Sequence, residues 1–122
     1  MSHPKVLTVG LPPHYAAVPE HIREQVAKDL EVNLPKAAKD ANIDMEYVWV
    51  TPEDNIEKFK NELTSRPYLD AVVIGMGVRG NAQYTVLLEQ LVNAIVEVAP
   101  KVKILFNSNV MTTIDAVKRW FP

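Results

Sequence analysis

Apolar residues along this chain follow two rhythms. Four short runs are almost continuously apolar or β-prone: Val6 to Leu11, Met45 to Val50, Leu69 to Ile74 and Val102 to Asn107. Between them lie longer stretches in which apolar side chains recur every third or fourth position, and turn-forming residues separate the two patterns. Runs of the first kind predict strands and stretches of the second predict helices that bury one face. The first strand stops at a Pro-Pro pair, and a loop from Pro12 to Pro19 follows, carrying His14 and Tyr15. A helix is then predicted from Pro19 or Glu20 to Ala41, with Ile22, Val26, Leu30, Leu34 and Ala41 in one stripe. Pro35 lies inside it, and because proline lacks an amide donor it is expected to kink or split this helix near Asn33.

Met45 to Val50 mixes aromatic, β-branched and charged residues, as an edge strand does. Thr51-Pro52-Glu53-Asp54 reads as a helix start with Thr51 as N-cap and Pro52 in the first turn. The helix it opens has a narrow apolar face of Ile56, Phe59 and Leu63 and ends at Ser65-Arg66-Pro67. The central run, Leu69 to Ile74, empties into Gly75-Met76-Gly77-Val78-Arg79-Gly80, expected to be a tight glycine loop at a helix start. A third helix is predicted from Asn81 to Ala99, with Tyr84, Leu87, Leu88, Leu91, Ala94, Ile95 and Val98 on one face and Val92 and Val96 on its shoulder. After the last strand, Thr112 or Thr113 is expected to cap a final helix through Phe121.

Strand-helix alternation at this spacing implies right-handed crossovers and a parallel sheet covered on both faces. The expected fold is a three-layer α/β sandwich with a four-stranded parallel sheet, flavodoxin-like, in strand order 2-1-3-4. That order puts Met45 to Val50 on an edge, the first and last helices on one face, and the second and third on the other. Its topological switch point lies between the carboxyl ends of the first and third strands, where open α/β sheets bind ligands.

Composition narrows the function. The chain has 122 residues, one domain's length, and no cysteine, which excludes thiol nucleophiles, thiolate metal sites and disulfides and suits the cytoplasm. With 13 basic and 15 acidic residues and no basic cluster, no nucleic-acid or membrane partner is expected. Before Pro12 there are only about six apolar-rich residues, too few for a signal or a spanning segment.

Gly75-Met76-Gly77-Val78-Arg79-Gly80 matches the letters of the dinucleotide fingerprint, but not on the first strand, and Asn107-Ser108-Asn109 stands where an acidic ribose ligand belongs. Two readings remain: glycines that merely make a turn, or a seat for a phosphate or carboxylate built from backbone N–H groups and Arg79. The second makes Gly75, Gly77, Arg79, Gly80, Asn81 and Asn107 ligand-binding residues, with His14 as acid or base. His14 reads equally as an exposed loop histidine, His21 as a surface residue, Ser108 as a turn residue, and Trp49 and Trp120 as core or interface. The spacing of His3, His14 and His21 fits no metal site, and no cofactor is expected.

Other users of this architecture are excluded by residues. A response-regulator receiver needs an acidic pair after the first strand and a phosphoacceptor aspartate after the third, where this chain has Gly10-Leu11-Pro12 and Gly75-Met76-Gly77. A low-molecular-weight tyrosine phosphatase needs a cysteine after the first strand, and a flavodoxin a Ser/Thr-rich loop there. The strings Val73-Ile74-Gly75-Met76-Gly77-Val78-Arg79, Glu89-Gln90-Leu91-Val92-Asn93-Ala94, Ala99-Pro100, Phe106-Asn107 and Arg119-Trp120 resemble a group of small flavodoxin-like single-domain proteins of fungi and bacteria, mainly over residues 69–120. The resemblance implies the fold and no reaction. The functional expectation is a small anionic metabolite bound at the switch point; whether the protein is an enzyme stays open. The alternative is a non-catalytic self-association or partner module. A homodimer through the third helix and last strand is expected, because Ile104, Leu105 and Phe106 are consecutive apolar residues on a sheet edge.

Overall fold

The computed structural model describes residues 3–13, 15 and 18–122. Its strands are β1 (Lys5–Gly10), β2 (Asp44–Trp49), β3 (Ala71–Ile74) and β4 (Lys103–Phe106), all parallel, in the order β2-β1-β3-β4. This is the predicted sheet. Its helices are α1 (Glu20–Lys28), α2 (Leu34–Asp40), α3 (Ile56–Thr64), α4 (Met76–Arg79), α5 (Thr85–Val98) and α6 (Thr113–Trp120).

Side chains alternate along a strand, so each strand feeds both faces. Leu7, Val9, Val72 and Ile74 join Phe59 and Leu63 of α3 and Leu87, Leu91, Ala94 and Ile95 of α5. Val6, Ala71, Val73 and Leu105 join Ala38 of α2, Ile43, and Ala116 and Val117 of α6. The helices thus divide between the faces as the crossovers required. β3 carries no charge because all four of its residues are buried. The edge strand β2 is marked by charge instead: Glu46 accepts from Arg66 (3.2 Å) and Tyr68 (2.6 Å), and Asp44 accepts from Lys5 (3.2 Å).

The predicted helix is divided at Asn33: α1 ends at Lys28 and α2 begins at Leu34. Between α1 and α2 the chain widens into a π-helical turn, Asp29–Asn33, with Pro35 just beyond it in the first turn of α2. Wider i→i+5 bonding absorbs the donor that proline lacks. Asp29 Oδ1 accepts from both Gln25 (2.9 Å) and Asn33 (2.7 Å) across this turn. At the far end Asn42 takes a left-handed conformation (φ 59°), Asn42 N–H reaches Lys39 O and Ile43 N–H reaches Ala38 O, which is a Schellman stop.

The capping hydrogen bonds of two helices lie a few residues from their predicted places. Residues 51–54 form a turn in which Asp54 accepts the Thr51 N–H (3.0 Å), and α3 begins only at Ile56, capped by Asn55, whose side chain accepts the Glu57 N–H (2.9 Å). A second acidic or amide side chain downstream outcompetes Thr51. At the last helix Thr112 holds the N-cap position of α6 without a side-chain bond to it, and the capping hydrogen bonds are made one turn earlier at Asn109. Its side chain accepts the Thr112 N–H, and the Thr112 hydroxyl accepts the Asn109 N–H, a reciprocal box that opens a 3₁₀ turn before α6.

Candidate functional site

The carboxyl ends of β1 and β3 diverge beneath α1, and there the structure holds a cavity of about 440 Å³. Small-molecule sites fall in this size range, roughly 300–1,000 Å³. One wall is the inward side of α1 and of the π-helical turn after it: Ile22, Val26 and Leu30, with Val18 ahead of them. None of α1's residues is buried. The first part of the stripe that the sequence presents as core, Ile22, Val26 and Leu30, therefore faces the cavity, while Leu34 beyond it is fully buried. The floor is Thr8 and Gly10 of β1, and the opposite side is Gly75, Met76, Gly77, Gly80 and Asn81. Trp49, Asn107 and Val110 complete it.

Gly10 sets the volume. A Cβ built there meets nothing within 4 Å, so a side chain at this position projects into empty space. Thr8 is 4% exposed, and its hydroxyl has no hydrogen-bond partner among the described residues. Neither residue stands out as a site from sequence. The one signal is a threonine inside an otherwise apolar run that closes on glycine. Among the described residues lining the cavity none is charged.

Of the expected ligand-binding residues, Gly75, Gly77, Gly80, Asn81 and Asn107 come together around this cavity. Their chemistry differs from the expected cradle. Met76–Arg79 is a one-turn helix and not an open loop, and among the described residues no glycine has positive φ. Three backbone donors of this segment are engaged: Met76 N–H on Asn107 Oδ1 (2.9 Å), Val78 N–H on Gly75 O, Gly80 N–H on Met76 O. Gly80 is needed for close approach, since a Cβ there would lie 3.0 Å from the Met76 carbonyl oxygen. Asn107 is buried with both ends of its amide in use, Nδ2 donating to the Thr113 hydroxyl (2.9 Å).

Arg79 is not among the residues lining the cavity. Its Nε donates to Ile74 O (3.3 Å), its Nη2 donates to Asn107 O, and its guanidinium lies 4.7 Å from the centroid of the Phe106 ring. Arg79 thus ties the end of β3 to the end of β4 and covers Phe106. Burial pushes its guanidinium down from the ordinary value. A side chain held this way is a strut, which removes the positive charge that the anion seat requires.

His14, the expected acid or base, lies outside the described residues. The Tyr15 phenol donates to both Glu53 carboxylate oxygens (2.8 and 2.9 Å), and its ring sits 6.2 Å from that of Tyr84. The Glu53 hydrogen bond pushes the Tyr15 phenol up to about 12 and holds the Glu53 carboxyl below its usual range. His21 is exposed on α1, and His3 lies 3.5 Å from Asp44. Among the described residues no group of three or more His, Asp or Glu is placed to hold a metal ion, and no helix is long and apolar enough to cross a membrane. No family model, curated protein or solved structure matches this chain, so the likeness seen over residues 69–120 stays an expectation.

Proposed function

We propose that the protein binds a small molecule in the cavity between α1 and the carboxyl ends of β1 and β3. The observation that carries this reading is the unburied apolar stripe of α1 facing about 440 Å³ of space at the switch point. Protein interiors close to crystal-like density, so a gap this size beneath an amphipathic helix has the character of a site. A phosphate or carboxylate, the ligand expected from the glycines, finds no guanidinium there, because Arg79 is held by two carbonyls.

A ligand screen by thermal shift, covering phosphates, carboxylates, nucleotides, flavins and neutral aromatics, tests the reading, since native-state binding raises stability by mass action. Hits should perturb the methyl resonances of Val26 and Leu30. Hits that leave both unchanged sink it.

Self-association is the second reading, favoured by Val86 (65% exposed) and Val96 (58% exposed) on α5. On the β4 edge Leu105 is buried on one face and Ile104 packs partly into the other, while Phe106 stays 40% exposed beside the Arg79 guanidinium. Light scattering at tens of micromolar, on the order of assay concentrations, decides it.

A further inference from the structure

The lining of the cavity narrows the ligand, on the premise that the cavity is a binding site. We infer that it takes an uncharged, mainly apolar molecule carrying one hydrogen-bonding group, and that Thr8 is the residue that meets this group.

Three observations converge. First, Leu11, Val18, Ile22, Val26, Leu30 and Trp49 give apolar walls, and no charged side chain stands among the described lining residues. Burying an ionised group against such walls without a partner is strongly unfavourable, so charge is selected against. Second, among the lining amides Asn107 has both ends engaged by Met76 and Thr113, and Asn81 and Asn109 each spend their Oδ1 on a backbone N–H. Third, Thr8 sits at the floor with its hydroxyl buried and without a partner among the described residues. A buried hydroxyl without a partner is destabilising, and a polar ligand atom arriving at the floor relieves that. Threonine exchanges methyl for hydroxyl at one spot by a turn about χ1, so Thr8 reaches the ligand without backbone movement. In the strand register Thr8 stands between Tyr47 of β2 and Val73 of β3, a position where valine would fit the pattern equally well.

The test uses four probes of one shape: naphthalene, 1-naphthol, 1-naphthoate and 1-naphthyl phosphate. Each is titrated by methyl NMR into the full chain, Thr8→Val and Gly10→Leu. The expected result is that 1-naphthol binds most tightly. Thr8→Val should weaken it about tenfold, the worth of one recovered hydrogen bond, and leave naphthalene unchanged. Thr8→Val should melt no lower than the parent. Gly10→Leu, which projects its side chain into the cavity, should abolish binding of all four; Ile22→Trp fills the cavity from the helix side should the first variant not fold. Tighter binding of 1-naphthoate or 1-naphthyl phosphate, lost in Gly10→Leu, overturns the ligand class while the binding site stands. Equal effects of Thr8→Val on 1-naphthol and naphthalene overturn the role of Thr8. Binding that survives both filling variants, or no binding by any probe, overturns the site and the inference together.

Discussion

On the α3 and α5 side of the sheet, Leu7, Val9, Val72 and Ile74 meet helices whose inward residues are buried, whereas on the α1 side Thr8 and Gly10 face Ile22, Val26 and Leu30 across a cavity. Both helix layers are amphipathic, and the same four strands feed both. The difference lies in what the strands offer. Where they present branched side chains the helix docks flush; where they present a threonine and a glycine the helix stands clear. Apolar periodicity in a helix says which face turns inward, and only the residues opposite decide whether anything fills the gap.

The largest expected effect comes from emptying the packed side. Leu91→Ala, at a fully buried position of α5, should lower stability by about 2–5 kcal/mol, while Leu30→Ala, on the cavity wall, should lower it by no more than about 1 kcal/mol. Urea unfolding of both variants checks this. Equal losses would mean that α1 closes on the sheet in solution.

Arg79 comes next. If its guanidinium serves the two carbonyls, Arg79→Ala should lose roughly 1.5–3 kcal/mol, the range for hydrogen bonds to charged groups. Arg79→Lys should recover only part of this, because the fork is lost. Cavity binding should be unchanged in both. A variant with unaltered stability and weakened anion binding would restore the anion seat.

Gly10→Ala should work in the opposite direction, raising the stability of the unliganded protein by about 0.4–1 kcal/mol through a less flexible unfolded chain. A melting temperature below the parent's would show that the space above Gly10 is already filled.

The smallest effect is read in alkali. Tyr47, beside Thr8 in the register, has a buried hydroxyl without a partner among the described residues, and burial pushes its phenol up to about 12. Its neutral form is the one the fold favours. The contribution is therefore complete below the ordinary phenol value near 10 and is lost as pH rises through about 12. Absorbance at the tyrosinate band should show late ionisation of Tyr15 and Tyr47, and Tyr15→Phe and Tyr47→Phe should each remove one phenol from that step. Complete titration near pH 10 would contradict both placements.

Strand order was legible because composition reports burial: Ala71 to Ile74 has no polar atom to leave in water and must lie inside, while Glu46 in β2 must reach solvent. Caps were less legible, since Thr51, Asp54 and Asn55 all accept backbone N–H groups and their competition is settled by turn geometry. The glycine segment misled for a related reason. Glycine permits a loop without requiring one, and Met76 to Arg79 closes a helical turn with every φ negative. At Arg79 a sequence shows a charge beside the glycines and not the direction of a long side chain, here drawn to the carbonyls of Ile74 and Asn107. The cavity itself left only the trace of Thr8 and Gly10.

Gly10 also has a meaning in terms of descent. A glycine codon becomes alanine or valine by one base change, and at this position an added Cβ meets nothing within 4 Å. Mutation to alanine can thus begin to fill the cavity in a single step without a clash in the fold. A lineage in which the cavity does nothing is expected to drift away from glycine here, while one that uses it holds the glycine against that drift, so the allele spectrum at position 10 among close kin reads selection on the cavity separately from selection on folding.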